Sequence, residues 1–186
     1  MSNQKQKEPT WGILNDSQAR TLMQWFQDSH ADSVPQTNYD VAFMRSTTVR
    51  SATVQTPTTP AKAVFHFKVP PNYSNQPIGK HPQTTHGGAF GMFFDLPTSL
   101  TIIGCNFAGW ESTGMTRRLD VTFLRPPVEG DDILIESEVI QIGKRLAVIR
   151  GVMKREKDGV MLATAQHDKY LPPIPHYVLD KPLPKL

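Results

Sequence analysis

From His81 to Trp110 the chain runs thirty residues with a single carboxylate, Asp95, and no Lys or Arg. Phe90, Met92, Phe93, Leu96, Leu100, Ile102 and Ile103 leave almost no polar face, the pattern of a helix buried nearly all round. Only a sheet that curls around such a helix can cover it. Pro97 lies inside the stretch and predicts a kink, or a missing backbone hydrogen bond at Phe93. A lone carboxylate in apolar surroundings is costly to bury. Desolvation raises its pKa, which suits a general base or a nucleophile. The alternative is an Asp turned to solvent or bonded to a backbone amide.

After Trp110 the period changes to two. Strands are expected over 115–125, 132–142, 145–156 and 160–170, joined by Pro126-Pro127-Val128-Glu129-Gly130, Gly143-Lys144 and Asp158-Gly159. Ahead of the apolar stretch, Phe65, Phe67 and Val69 alternate over 63–69, and 41–54 reads as one strand or an extended segment. Ala19, Leu22, Met23 and Phe26 follow the N-caps Asn15-Asp16-Ser17 and predict an amphipathic helix over 16–29. The fold class is therefore α+β: an antiparallel sheet wrapped around a long central helix. Three regions follow: an N-terminal extension (1–60), the main domain (61–171) and a Pro-rich tail (172–186) expected to lie extended. The first ten residues are polar, as disordered ends are.

Composition narrows the function classes. The 186 residues carry a net charge of +3, without a Lys/Arg run that would mark a nucleic-acid binder. No apolar run is read as reaching a membrane span. One cysteine, Cys105, excludes an internal disulfide and reads as a small buried hydrophobe. The histidines are scattered, without zinc-site spacing. A mild positive bias favours a small anionic ligand.

His86-Gly87-Gly88 followed by Asp95, then TRRLDVTFLRP at 116–126, Gly130-Asp131, Gly143-Lys144 and His167-Asp168-Lys169-Tyr170-Leu171 together resemble the hotdog-fold acyl-CoA thioesterases of the PaaI-like (4-hydroxybenzoyl-CoA thioesterase-type) superfamily. The resemblance covers about residues 62–171. It implies a hotdog fold and hydrolysis of an acyl-CoA to a free acid and coenzyme A, with coenzyme A entering only as part of the substrate. It places the oxyanion donor at the Gly87 amide, the catalytic carboxylate at Asp95 and a water-positioning hydroxyl at Thr116. It adds Asn75 as a further catalytic residue, and Gly88, Arg125, Lys144 and Arg145 on the coenzyme A side. His86 is either an acid–base group or the residue that fixes the turn, and Lys144 and Arg145 either hold phosphates or form a solvated hairpin.

The chemistry stands on general grounds as well. A thioester carbonyl becomes an oxyanion when attacked, and amides at a helix N-terminus stabilise it. Gly87 and Asp95 are eight positions apart, about 12 Å along one helix. One thioester carbon is not expected to contact both from a single chain, so if both act the site draws on two subunits, and the resemblance implies a homodimer or dimer of dimers. A hotdog dehydratase or hydratase, which needs a His–carboxylate pair, and a non-catalytic acyl-CoA-binding protein are the competing readings. Cytoplasm is the expected location. The terminal Pro-Lys-Leu resembles the peroxisomal Ser-Lys-Leu and gives a second address, and a mitochondrial one stays open.

Overall fold

A computed structural model describes residues 9–76, 83–173 and 183–186. The expectations for the polar start and for most of the Pro-rich tail fall on residues outside these ranges. Helix α1 (Asp16–Ser33) is closed by a capping box in which Asn15 and Gln18 bond each other's backbone amides. Helix α2 (Val41–Ser46) and strand β1 (Thr48–Thr53) follow. The stretch read as one extended segment is thus half helix. Val41, Phe43 and Met44 are buried at helical spacing, and Phe43 stacks on Phe67 and Phe93.

Strands β2 (Lys62–Lys68), β3 (Met115–Phe123), β4 (Asp132–Ile142), β5 (Leu146–Arg155) and β6 (Met161–Tyr170) complete a six-stranded antiparallel sheet with β1, in the order β1-β2-β4-β5-β6-β3. Helix α3 (Gly87–Thr101) crosses its inner face. Its aromatic side forms one core with the sheet, in which Phe93 packs against Phe43, Phe67 and Tyr73. Gly87–Cys105 is in fact long and apolar enough to cross a membrane by length and composition, which corrects the sequence reading; it is mostly buried as the core helix. The helix continues through Pro97, and the Thr98 and Thr101 hydroxyls donate to the Phe94 and Pro97 carbonyls around it.

One glycine sets the distance between helix and sheet. A Cβ on Gly151 of β5 would lie 2.8 Å and 2.9 Å from the Phe94 ring and 3.2 Å from the Thr98 methyl. Phe94 and Thr98 therefore occupy the space a side chain would need. Gly151→Ala is expected to lower stability by about 1–3 kcal/mol through overpacking. Urea unfolding of the variant checks it, and an unchanged midpoint would remove the close approach as a constraint.

The long segment between β2 and α3 is tied down at both described ends. Ser74 bridges Thr85 and Thr84 bridges Val128, and the His86 amide donates to the Tyr73 carbonyl at 2.8 Å.

Candidate active site

Asp95 and Thr98 lie three positions apart on α3 and share one face of the helix. That face meets the N-terminal end of β3 and the C-terminal end of β6. The Thr116 hydroxyl donates to Asp95 Oδ1 at 2.6 Å and sits 2.9 Å from His167 Nε2. His167 Nε2 is 3.4 Å from Asp95 Oδ1, and His167 Nδ1 is 2.6 Å from the Thr98 hydroxyl. Beside them the Lys169 ammonium donates to Ser99 Oγ at 2.7 Å.

The polar cluster is graded in exposure. His167 is wholly buried and Lys169 is 3% exposed, while the Asp95 side chain is 48% exposed and Thr116 is exposed. Asp95 is therefore not desolvated within one protomer, contrary to the sequence expectation. The apolar residues around it point inward, and its carboxylate turns to the unpaired edge at β3. Burial, helped by the Lys169 charge, pushes His167 down to about 4, against the opposing pull of the Asp95 and Asp168 carboxylates. Burial also lowers Lys169 to about 8, with Asp95 opposing. Cys105 is buried and its thiol is pushed up to about 12, as expected of an inert core residue.

The helix N-terminus is built separately. His86 is its N-cap, and its Nδ1 accepts the Gly88 amide at 3.0 Å. The His86 ring thus fixes the turn. The Gly88 amide is taken up by that cap, and a Cβ on Gly88 would crowd the ring at 3.1 Å. Gly87 differs. Its amide meets no acceptor among the described residues, and a Cβ there would meet nothing within 4 Å. Asn75 reaches this turn despite its distance in sequence. Its backbone amide donates to the Thr84 carbonyl at 2.7 Å, and its side-chain amide donates to the Thr84 hydroxyl and the Thr85 carbonyl at 3.3 Å and 3.4 Å.

Within one protomer the structure does not bring all the sequence candidates together. Gly87 and Asp95 sit on the same helix, as the spacing required. Lys144 and Arg145 are exposed in the β4–β5 turn, where the Arg145 carbonyl accepts the Leu171 amide. Arg125 lies at the other end of β6, its guanidinium donating to the Met161 carbonyl at 3.4 Å. The ten-residue strand β6 separates these cations by about 30 Å, at roughly 3.3 Å per residue, so one protomer cannot close them on one phosphate.

His167 and Lys169 were not singled out as site residues from the sequence, although both stand in the motif that closes the resemblance. The signal was strand alternation. Ala163, Ala165, His167 and Lys169 share a parity, and all four are buried against the helix.

The thioesterase superfamily profile matches residues 82–162. Acyl-coenzyme A thioesterase 13 from Homo sapiens is 28% identical over 112 residues, covering 60% of this chain and 74% of the relative. Among solved structures, zebrafish thioesterase superfamily member 2 superposes with a TM-score of 0.62 at 20% identity, covering 86% of this chain and 99% of its own. The Escherichia coli PaaI protein gives a TM-score of 0.53 at 18% identity, with coverages of 79% and 97%. A Streptococcus pneumoniae thioesterase protein solved with coenzyme A gives 0.57 at 16% identity, with coverages of 79% and 96%. A sheet wrapped on one helix, with a capped glycine turn and a carboxylate at its edge, is the hotdog fold these structures share. Over residues 82–162 the chain is thus similar to the thioesterase superfamily.

The lowered pKa of His167 has a consequence for stability. Between about 4 and 6.5 the unfolded chain binds a proton at this residue that the folded chain does not. Its contribution is fully present above pH 6.5 and is lost as pH falls toward 4, by on the order of 3 kcal/mol. Urea unfolding from pH 4 to 7 should show this slope, flattened in His167→Gln. Parallel curves for the two proteins would contradict it.

Proposed function

We propose that this protein hydrolyses acyl-CoA thioesters, with each site built from two protomers related by a two-fold axis. The observation that carries the reading is the course of α3 along the edge strand β3. Phe90, near the start of α3, packs on Phe123 at the end of β3 with ring centroids 4.9 Å apart, while Asp95 bonds Thr116 at the beginning of β3. Helix and strand therefore run in opposite directions. Strand β3 is a sheet edge that exposes Met115 and Phe123. Such edges are usually covered. If two copies of β3 pair antiparallel, the end of one lies beside the beginning of the other. That pairing carries Gly87 of one protomer toward Asp95 of its partner. It also moves Arg125 toward the partner's Thr116 end, nearer the partner's Lys144 and Arg145, where the three cations can serve the phosphates of coenzyme A.

The chemistry follows from these placements. Water held at Asp95 and Thr116 attacks the thioester carbon and gives its proton to Asp95. The oxyanion forms at the free Gly87 amide, whose position at the positive end of α3 favours it. Collapse breaks the carbon–sulfur bond, and the departing thiolate takes the proton back. The products are a carboxylic acid and coenzyme A, and no step calls for a metal or redox group. Asp95 Oδ1 is already held by Thr116, which suits proton acceptance better than covalent attack. The dehydratase reading needs a histidine that reaches the acyl chain. His167 pairs with Asp95 but is wholly buried, and His86 Nδ1 is committed to the cap.

Thiol release from a chain-length panel of acyl-CoAs tests the activity. Asp95→Asn and Asp95→Ala should each lose at least about a hundredfold in turnover. Gly87→Pro tests the oxyanion donor. Proline is tolerated at the first helical position, and His86 before it already has extended backbone angles, φ −64° and ψ 133°. The variant should fold and lose about 10²–10³ in kcat, while Gly87→Ala, which keeps the amide, should lose far less. Mixing Asp95→Asn with Gly87→Pro subunits should restore about a quarter of wild-type activity, since half the dimers are mixed and each has one intact site. No recovery despite subunit exchange would refute the shared site, and binding of acyl-CoA without turnover by the wild type would refute the enzyme.

A further inference from the structure

Four close contacts run in series from the exposed carboxylate into the core: Asp95 Oδ1 to Thr116 Oγ1 at 2.6 Å, Thr116 Oγ1 to His167 Nε2 at 2.9 Å, His167 Nδ1 to Thr98 Oγ1 at 2.6 Å, and Thr98 Oγ1 to the Phe94 carbonyl at 2.6 Å. Each contact needs one hydrogen between its two polar atoms. An ionised Asp95 and a neutral imidazole leave only three: one on Thr98, one on His167 and one on Thr116.

The missing hydrogen can be located. The Phe94 carbonyl only accepts, so the Thr98 hydrogen belongs to it. His167 must then donate from Nδ1, which leaves Nε2 as an acceptor facing Thr116. Thr116 has one hydrogen and two acceptors competing for it, Nε2 and Asp95. A proton arriving on Asp95 ends the competition. Asp95 then donates to Thr116, Thr116 donates to Nε2, and all four contacts are filled in one direction.

We infer that Asp95, Thr116, His167 and Thr98 form a relay one proton short, anchored on the Phe94 carbonyl, whose completion is what makes Asp95 accept a proton from water. His167 and Thr98 are positioning residues here, since neither reaches substrate. The inference rests on the thioesterase reading for its role in turnover, but not for its proton count. Proton uptake is balanced within the reaction: the water O–H proton enters at Asp95 as the carbon–oxygen bond forms, and leaves to the coenzyme A thiolate as the carbon–sulfur bond breaks. The charged groups acting on His167 are Lys169 and Asp168 from β6 and Asp95 from α3. Burial, helped by Lys169 held on Ser99, opposes a second proton on the ring and so keeps Nε2 an acceptor.

Side-chain ¹⁵N NMR of the full-length protein at neutral pH tests the count, with His167→Gln used for assignment. His167 should be the neutral tautomer protonated at Nδ1 and bare at Nε2. A ring protonated at Nε2, alone or with Nδ1, would overturn the inference, because the relay would then start differently or already be full. Kinetics test its role. Thr98→Val removes the anchor and frees the ring to protonate Nε2 instead. It should lower kcat about tenfold, a part of the roughly 10²–10⁴-fold that a general base contributes, leave KM unchanged and shift the acidic limb of the kcat–pH profile. Thr98→Ser keeps the hydroxyl and should restore both. Wild-type kcat and pH profile in Thr98→Val, or equal losses in the two variants, would also overturn it. If the wild type hydrolysed no thioester, the functional reading would fall while the NMR result still decided the proton count.

Discussion

The seating of α3 on β5 at Gly151 is the contact on which the rest depends. Phe94 and Thr98 fill the space above that glycine, so the helix lies closer to the sheet than a side chain would allow. The same approach puts the Thr98 hydroxyl 2.6 Å from the imidazole of His167 on the neighbouring strand. A shift of the helix by one methyl group would part them. Core packing and the geometry of the polar cluster are thus one constraint, because Thr98 carries a methyl on the glycine and a hydroxyl on the histidine.

In the proposed function, two halves of one reaction stand two turns apart on a single rigid element. The Gly87 amide is at the start of α3, and Asp95 is near its middle. A helix cannot bend to bring them together, so the proposed site depends on how protomers pair. The exposed edge of β3, with apolar Met115 and Phe123 along it, is the surface on which that pairing can act. In the proposed dimer the distance between Arg125 and the Lys144-Arg145 turn is resolved in the same way. Residues far apart in a protomer become neighbours under an antiparallel two-fold, because that operation exchanges the ends of a strand.

Much of this was legible in the sequence. The apolar stretch around Asp95 required a wrapped helix, and period-two patterning with Gly and Pro turns located β3 to β6 within about two residues at their ends. Hydrophobic pattern decides such elements, since a register slip would turn every core residue outward. The stretch 41–54 was harder because Thr and Ser fit strands and caps alike, and burial of Phe43 against Phe67 and Phe93 decides for helix. The half-exposure of Asp95 matched only the alternative reading of that residue. Its neighbours in sequence are apolar, but the helix turns them inward and leaves Asp95 at the sheet edge. His167 and Lys169 were readable in principle. Their parity with Ala163 and Ala165 marks an inward face, but a polar residue on that face makes sense only once Ser99 and Thr98 are seen opposite.

A buried lysine and a buried histidine side by side are unfavourable for folding, since both have lowered pKa values that report the cost of charging them where they lie. An apolar pair of similar volume would fit the core with less penalty. Their placement answers to Asp95 instead. The carboxylate sits at an open edge. Lys169 stands behind it, and His167 supplies an acceptor that competes for the Thr116 hydrogen. In the proposed reaction both groups back the carboxylate from two adjacent inward positions of one strand.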